Sequence, residues 1–158
     1  MNPDPEKDSD ASTASGSAVV QFSVMLDNRA GALRSLEKML SDRHINVIGL
    51  TLSDSFEISL ARLIVTDPFG VETLFIERGI AFQTTDVVVV ELKGGPNDLG
   101  PCLNVLNRAE VNIHSGYPLL VHPEGASALV LCVEDCEFGI RVLGENGFKV
   151  FFQEDLSR

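Results

Sequence analysis

The stretch MLDNRAGALRSL, residues 25–36, joins an apolar run to a helical pattern. The run AVVQFSVML, residues 18–26, is rich in β-branched and apolar residues and predicts a strand. After the turn, apolar residues recur at helical spacing on one face: Leu33, Leu36, Met39 and Leu40. Gly31 stands where the strand gives way to the helix, and it allows a tight turn there.

The pattern outward from this junction predicts a βαββαβ unit. HINVIGLTLSD (residues 44–54) and SLARLIVTD (residues 59–67) are interpreted as two strands joined by a short turn. A second helix follows, with Asp67 as its cap, Pro68 in its first turn and Gly79 after its end. The next segment, IAFQTTDVVVVEL, is β-branched and long enough for two successive strands.

The same order then recurs, which indicates an internal duplication. Six positions of the first unit are matched 66 residues later: Leu33, Leu36, Leu40, Ile45, Asn46 and Val47 by Leu99, Cys102, Leu106, Val111, Asn112 and Ile113. Four more are matched 68 residues later: Leu63, Val65, Asp67 and Gly79 by Leu131, Val133, Asp135 and Gly147. We place the two extra residues in the second hairpin loop, around HPEG.

The predicted fold class is therefore α+β, with two ferredoxin-like βαββαβ modules, each an antiparallel sheet with its helices on one face. We assign residues 1–17 to a disordered tail because they are rich in Pro, Asp, Ser and Ala. The first module spans residues 18–85 and the second spans residues 86–158. Because helices cover only one face of each sheet, we expect the two modules to pair.

Composition narrows the classes of function. The chain has 158 residues, a net charge of -11 and a pI near 4.5, so we expect neither nucleic acid nor an anionic membrane as partner. The N-terminus lacks a signal-peptide pattern, and no apolar run reaches the roughly 18 residues of a membrane helix, which predicts a cytoplasmic protein. Three cysteines without a CxxC pair predict reduced thiols, and no metal or cofactor is expected.

Three functions found on this topology fit poorly. An RNA-binding domain needs aromatic residues on its sheet and basic residues around them, whereas this chain is acidic with one Tyr and no Trp. A metal carrier needs a cysteine pair in the first loop, and Cys132 and Cys136 instead straddle a strand end and a helix start. An acylphosphatase-like enzyme would use Asn28 and Arg29, but the loop lacks its run of glycines.

The remaining interpretation is a small-molecule sensor. LDNRAGAL (26–33) followed by DRHINV (42–47) resembles the ACT domain family, although Ala30 stands where the family usually has Pro. In the second unit RAEVNIHSGYPLLV (108–121) and ALVLCVEDCEFGIRVLGENGFKVF (128–151) resemble the closing half of tandem ACT proteins. The resemblance covers roughly residues 18–154. It implies a regulatory module that binds an amino acid at the first loop, commonly at the seam between two modules.

The residue types at the loop suit such a ligand. Free amides in the first helical turn favour a carboxylate, and the side chains of Asn28 and Asn46 can donate to or accept from an amino acid. Asn28 as a helix cap, Asn46 as a turn residue and Arg29 as a surface charge are the structural alternatives. The predicted ligand-binding residues are Leu26, Asp27, Asn28, Arg29, Ala30, Gly31, Ala32, Leu33, Asn46, Val47, Asn112, Ile113 and His114.

The second module departs from the pattern, since Asn28, Arg29 and Gly31 correspond to Gly94, Gly95 and Asn97. A slip of one or two residues would return Gly95 or Gly100 to the turn, and a second site of equal specificity is not expected. Leu26 favours an apolar ligand side chain, such as that of a branched-chain amino acid.

The sequence therefore predicts a non-catalytic amino-acid sensor that forms homodimers through open sheet edges or faces. It either acts on a separate partner, such as a metabolic enzyme, or serves as a free sensor. The alternatives are a dedicated small subunit of a biosynthetic enzyme such as acetolactate synthase, and an acylphosphatase-like hydrolase.

Overall fold

The computed structural model describes residues 16–157. Its first module contains strands and helices in the predicted order: β1 (Val19–Asp27), α1 (Ala32–Ser41), β2 (Val47–Ser55), β3 (Ile58–Val65), α2 (Pro68–Arg78) and β4 (Gln83–Leu92). The second continues with α3 (Leu99–Arg108), β5 (Ile113–Pro118), β6 (Ser127–Val133), α4 (Cys136–Glu145), β7 (Val150–Phe151) and α5 (Gln153–Leu156). The two ferredoxin-like modules are thus confirmed.

The caps repeat between the modules. Asp67 accepts a hydrogen bond of 3.0 Å from the backbone N–H of Gly70, and Asp135 accepts one of 3.0 Å from Phe138. Gly79 and Gly147, beyond the ends of α2 and α4, have positive φ angles of 66° and 83°. Both are conformations that glycine adopts at little cost. The predicted cap and stop signals are therefore confirmed in both copies.

Strand β4 belongs to both modules. Its first half pairs with β1, with Val87 opposite Val19, and its second half pairs with β6 and β7, with Val88 opposite Leu131. We expected two successive strands here, but a β-branched run without Gly or Pro gives the chain no reason to break. The proposed division between residues 85 and 86 falls inside this continuous strand.

The strands form one antiparallel sheet in the order β2-β3-β1-β4-β6-β5, and β7 also pairs with β4. The sheet curls so far that its two ends meet. Gly49 of β2 forms an antiparallel bridge with Leu119, the residue after β5. A Cβ atom on Gly49 would lie 3.0 Å from side-chain atoms of Leu119 and Ile64. A larger residue would require Leu119 or Ile64 to shift by a few tenths of an ångström, so glycine suits this close approach.

The curled sheet creates three apolar clusters. The inner cluster lies between the two halves of the sheet and includes Val19, Ile64, Val89 and Val130. The hydroxyl group of Tyr117 donates a buried hydrogen bond of 2.7 Å to Oε1 of Gln21, across the two modules. The two outer clusters lie between each half of the sheet and its own pair of helices. The predicted pairing of modules is achieved by this shared inner core.

The end of the predicted tail differs from the structure. Residues 1–15 lie outside the described range, so the expectation of disorder there stays a prediction. Ser17 is bonded to α5, since its N–H lies 3.1 Å from Oε1 of Glu154 and its carbonyl oxygen accepts from Gln153. Residue 17 therefore belongs to the fold, and the ordered chain begins earlier than predicted. In the described range no helix is long and apolar enough to cross a membrane.

Candidate functional site

A groove runs along α1, between this helix and β2, with a volume of about 470 Å³. Residues three, four, seven and eight apart share one face of a helix, so α1 presents a continuous row of side chains to it. The facing wall comes from β2 and β3. The apolar lining consists of Leu33, Leu36, Leu40, Ile45, Val47, Leu50, Leu63 and Leu120.

Leu120 is the contribution of the second module. It lies just after β5, and its backbone N–H donates a hydrogen bond of 2.8 Å to the carbonyl oxygen of Ile48 in β2. Its side chain is 66% exposed although it is large and apolar. The groove therefore lies where the two modules meet, and both modules line it.

Four polar residues also line the groove: Arg34, Glu37, Ser41 and Asn46. Nη1 of Arg34 lies 2.7 Å from Oε2 of Glu37, and the two side chains remain 70% and 52% exposed. The backbone N–H and carbonyl groups of Asn46 are both bonded to Thr66, the residue that follows β3. Within residues 16–157 the Asn46 side chain makes no hydrogen bond, so its carboxamide is available to a ligand.

The predicted loop site has a different character. Leu26 is half-buried against the core of the first module, and Nε of Arg29 lies 3.8 Å from an oxygen of Asp27 on the surface. Gly31 is the N-cap of α1 with φ 85°, and no side chain of the described residues caps this helix. Asn28 is exposed and is not the cap. Arg29 is a surface charge, and Gly31 serves the backbone turn.

Asn28 and Asn46 do not flank one ligand within the first module, and that expectation is wrong. Strands β1 and β2 both pair antiparallel with β3, so they run in the same direction. Asn46 therefore lies level with the start of β1, whereas Asn28 follows its end. The nine residues of β1 separate them by about 30 Å at a rise of about 3.3 Å each.

Three predicted residues do line the groove, namely Leu33, Asn46 and Val47. The predicted loop residues do not line the groove, whose first lining residue along the chain is Leu33. These loop residues are Asn28, Arg29, Ala30, Gly31 and Ala32. The sequence interpretation missed the other nine lining residues, which are the polar Arg34, Glu37 and Ser41 and the apolar Leu36, Leu40, Ile45, Leu50, Leu63 and Leu120. The spacing of Arg34, Glu37 and Ser41 on the face beside the apolar row was a usable signal for the first three. Nothing in the sequence pattern placed Leu120 beside β2.

Comparison with known proteins agrees with this architecture. A family model described as an ACT domain pair matches residues 17–158. The chain belongs to the ACT domain family. No curated protein sequence matches it. The two halves described above are thus two ACT modules.

Two solved structures illustrate the shared fold. Protein BT0572 from Bacteroides thetaiotaomicron has a TM-score of 0.81 and 24% identity, with 90% of this chain and 98% of that one covered. The ligand-free regulatory subunit of aspartate kinase from Thermus thermophilus has a TM-score of 0.57 and 13% identity, covering 84% and 95%. Identities this low establish likeness of fold and no more.

The second ACT module lacks the charged groups of the groove, since Gly100 and Leu103 correspond to Arg34 and Glu37, although it keeps polar residues at Asn107 and Asn112. Nδ2 of Asn112, which corresponds to Asn46, donates a hydrogen bond of 2.8 Å to Glu134. Asp98 accepts one of 2.6 Å from the N–H of Gly94, and Gly95 takes the turn with φ 63°. Asn112, Ile113 and His114 are exposed at the start of β5. Of the two predicted slips, the one that returns Gly95 to the turn is observed.

Two thiols of this ACT pair, those of Cys102 and Cys136, have raised pKa values. Burial, and then the charge of Asp98, raises the pKa of Cys102 to about 11. Burial is also the first cause that raises the pKa of Cys136 to about 11, with Asp86 next. Cys132 packs against the inner cluster and Cys136 against the outer cluster of the second module. In the described range no group of three or more His, Cys, Asp or Glu residues is placed to hold a metal ion.

Proposed function

We propose that this ACT pair is a non-catalytic regulatory protein that binds a free amino acid in the groove between α1 and β2. The observation that supports this most is the composition of the groove. It has apolar walls, a few polar groups on its rim and a volume suited to a small molecule. A pocket of this kind at the meeting of two modules is a common form of ligand site.

Binding there would be coupled to the arrangement of the modules. A ligand in the groove contacts Leu120, whose backbone joins the second module to β2 through the bond to Ile48. A ligand that binds better when Leu120 is in place shifts the population toward the closed seam. The size of that shift is limited by the difference in affinity for the closed and open seams.

A separate partner would receive the signal. We propose that residues 18–85 and 86–158 act as the two ACT modules, and that the chain regulates a metabolic enzyme encoded elsewhere. A regulatory subunit of aspartate kinase shares the fold, which makes an enzyme partner a reasonable candidate. Co-purification of a large catalytic subunit with the tagged chain would support this, and purification alone would favour a free sensor.

We propose that the chain forms homodimers, because the sheet has open edges that a second copy can cover. Beyond Gly49 and Leu119, strands β2 and β5 are the outer strands of the sheet, and among residues 16–157 no strand pairs with their outer edges. Light scattering during size-exclusion chromatography measures the mass directly. A single species near the 17.1 kDa of one chain would contradict the dimer.

A thermal-shift screen against the twenty amino acids tests the site. A ligand at one hundred times its Kd stabilises by about 2.7 kcal/mol, which raises Tm by several degrees. Leu120→Ala should reduce the thermal shift, because it removes the Leu120 side chain from one wall of the groove. Since this side chain is already exposed, the substitution should change the stability of the free protein little. Phe69→Ala, at a residue of α2 that is 79% exposed and outside the groove, is the matched control. A flat screen would refute the amino-acid sensor.

An acylphosphatase-like hydrolase is the competing class. It would need Arg29, which lies on the surface beside Asp27. We expect no turnover of an acyl phosphate, and no change of that result in Arg29→Ala. Turnover that disappears in Arg29→Ala would favour the hydrolase.

A further inference from the structure

We propose that Arg34 and Glu37 together bind the charged end of an α-amino acid whose side chain is large and apolar. This deepens the proposed function and rests on it. The guanidinium group of Arg34 faces the ligand carboxylate, and the carboxylate of Glu37 faces the ligand ammonium group. The ligand side chain lies on the leucine-rich wall of the groove.

The apolar wall defines the class of ligand side chain. Leu36, Leu40 and Leu63 are nearly fully buried at its base, while Leu120 closes one side. A polar or charged ligand side chain would lose its hydration here without gaining partners. An aliphatic or aromatic side chain instead removes apolar surface from water on both partners. Leucine, isoleucine, methionine and phenylalanine fit this chemistry, and serine, aspartate and lysine do not.

The ion pair matches the charged end of an amino acid. Arg34 and Glu37 lie one turn apart on α1 and are joined at 2.7 Å, so the rim presents one positive and one negative group side by side. The carboxylate and ammonium groups of an amino acid are also adjacent, with the opposite order of charges. Laid head to tail against the pair, each ligand charge meets its opposite without separating Arg34 from Glu37.

The magnitude of the pair favours a role in binding over one in stability. An exposed ion pair on a helix contributes only about 0–1 kcal/mol to stability. A bound ligand excludes water from the same charges. Charge-assisted hydrogen bonds are stronger in such surroundings of low dielectric constant. Neutralising either residue should therefore leave the fold nearly unchanged and still weaken binding.

The second module provides an internal comparison. The positions that correspond to Arg34 and Glu37 are Gly100 and Leu103, which carry no charge. That module has an exposed apolar strip in the corresponding place, which consists of Leu99, Leu103 and Ile113. We infer that each chain binds one amino acid, in the first module.

The experiment separates the two charges by using truncated ligands. Calorimetric titrations of the full chain use leucine, 4-methylpentanoate, which lacks the ammonium group, and 3-methylbutylamine, which lacks the carboxylate. Glu37→Gln should weaken leucine about tenfold and leave 4-methylpentanoate unchanged. Arg34→Gln should weaken leucine similarly and leave 3-methylbutylamine unchanged.

Lys38→Gln is the matched control. Lys38 of α1 forms an ion pair of 2.9 Å with Asp42, the residue that follows the helix, and neither residue lines the groove. This variant should bind all three probes as the unchanged chain does.

Each other outcome overturns a definite part of the proposal. Equal weakening of all probes by Glu37→Gln or Arg34→Gln would assign the pair a structural role and overturn the inference. Binding of serine or aspartate as tight as that of leucine would overturn the apolar class, while the proposed sensor function stands. Absence of binding by every amino acid would overturn both this inference and the proposed sensor function.

Discussion

The N–H of Leu120 donates a hydrogen bond of 2.8 Å to the carbonyl oxygen of Ile48, and so joins the second module to the edge strand of the first. The neighbouring bridge between Gly49 and Leu119 brings the outermost strands of the curled sheet together. Because Leu120 also lines the groove along α1, a ligand there contacts both modules. This seam is the structural basis for the regulatory role proposed above.

Gly49→Ala should destabilise the protein by about 1–3 kcal/mol. The added methyl group would lie 3.0 Å from buried side-chain atoms of Ile64 and Leu119, and overpacking of a core costs about this much. The free energy of unfolding in urea measures the effect. Gly100→Ala is the control, since open space surrounds this position in α3 and alanine should stabilise the helix by up to about 1 kcal/mol. Equal stability of the two variants would show that the seam is not tightly packed.

Tyr117→Phe should cost about 1–3 kcal/mol, because it leaves the buried carboxamide of Gln21 without its hydrogen-bond partner. Adding Gln21→Leu to Tyr117→Phe should recover much of that loss, since both polar groups are then gone. Unfolding in urea measures both variants. A double variant less stable than Tyr117→Phe alone would mean that Gln21 has a different role in the inner core.

Asn28→Ala should leave both stability and ligand binding unchanged, because Asn28 neither caps α1 nor lines the groove. Asp67→Ala should instead cost about 1 kcal/mol through loss of the cap that Gly70 donates to. Thermal unfolding with and without ligand compares the two. Loss of ligand binding in Asn28→Ala would restore the loop as the site.

The raised pKa values of Cys102 and Cys136 predict that stability falls as the pH rises above 9. Their thiols ionise near pH 9 when unfolded and near pH 11 when folded. Between those values the unfolded chain binds fewer protons, so alkali favours unfolding. Urea unfolding at pH 8, 9.5 and 10.5 measures this trend. Cys102→Ala and Cys136→Ala should each flatten it, whereas an unchanged slope in both would exclude the thiols as its cause.

Much of the fold could be predicted from the sequence because its signals are local or repeated. The caps at Asp67 and Asp135 and the glycines at residues 79 and 147 determine where helices begin and end, and their fixed spacing identifies the duplication. The continuity of β4 was missed because a long β-branched run is compatible with one long strand and with two successive short ones. Only the pairing of its halves with β1 and β6 decides between them.

The site was harder to predict because it depends on directions in space. Asn28 and Asn46 are close enough in sequence to suggest one pocket, but α1 runs back along the sheet and places them at opposite ends. Leu120 reaches the groove only because the sheet curls, and that curvature has no local sequence signal. Of the predicted residues, Leu33 in the first turn of α1 and Asn46 and Val47 at the start of β2 do line the groove.

The most direct test of the proposed site is an NMR titration of protein labelled with ¹⁵N and at its leucine methyl groups, using the amino acid that gives the largest thermal shift. We predict that the methyl signals of Leu36, Leu63 and Leu120 move together and saturate at one ligand per chain, while those of Leu99 and Leu103 stay in place. Saturating shifts confined to the amide signals of residues 28–31, with the groove methyl signals unmoved, would contradict binding between α1 and β2.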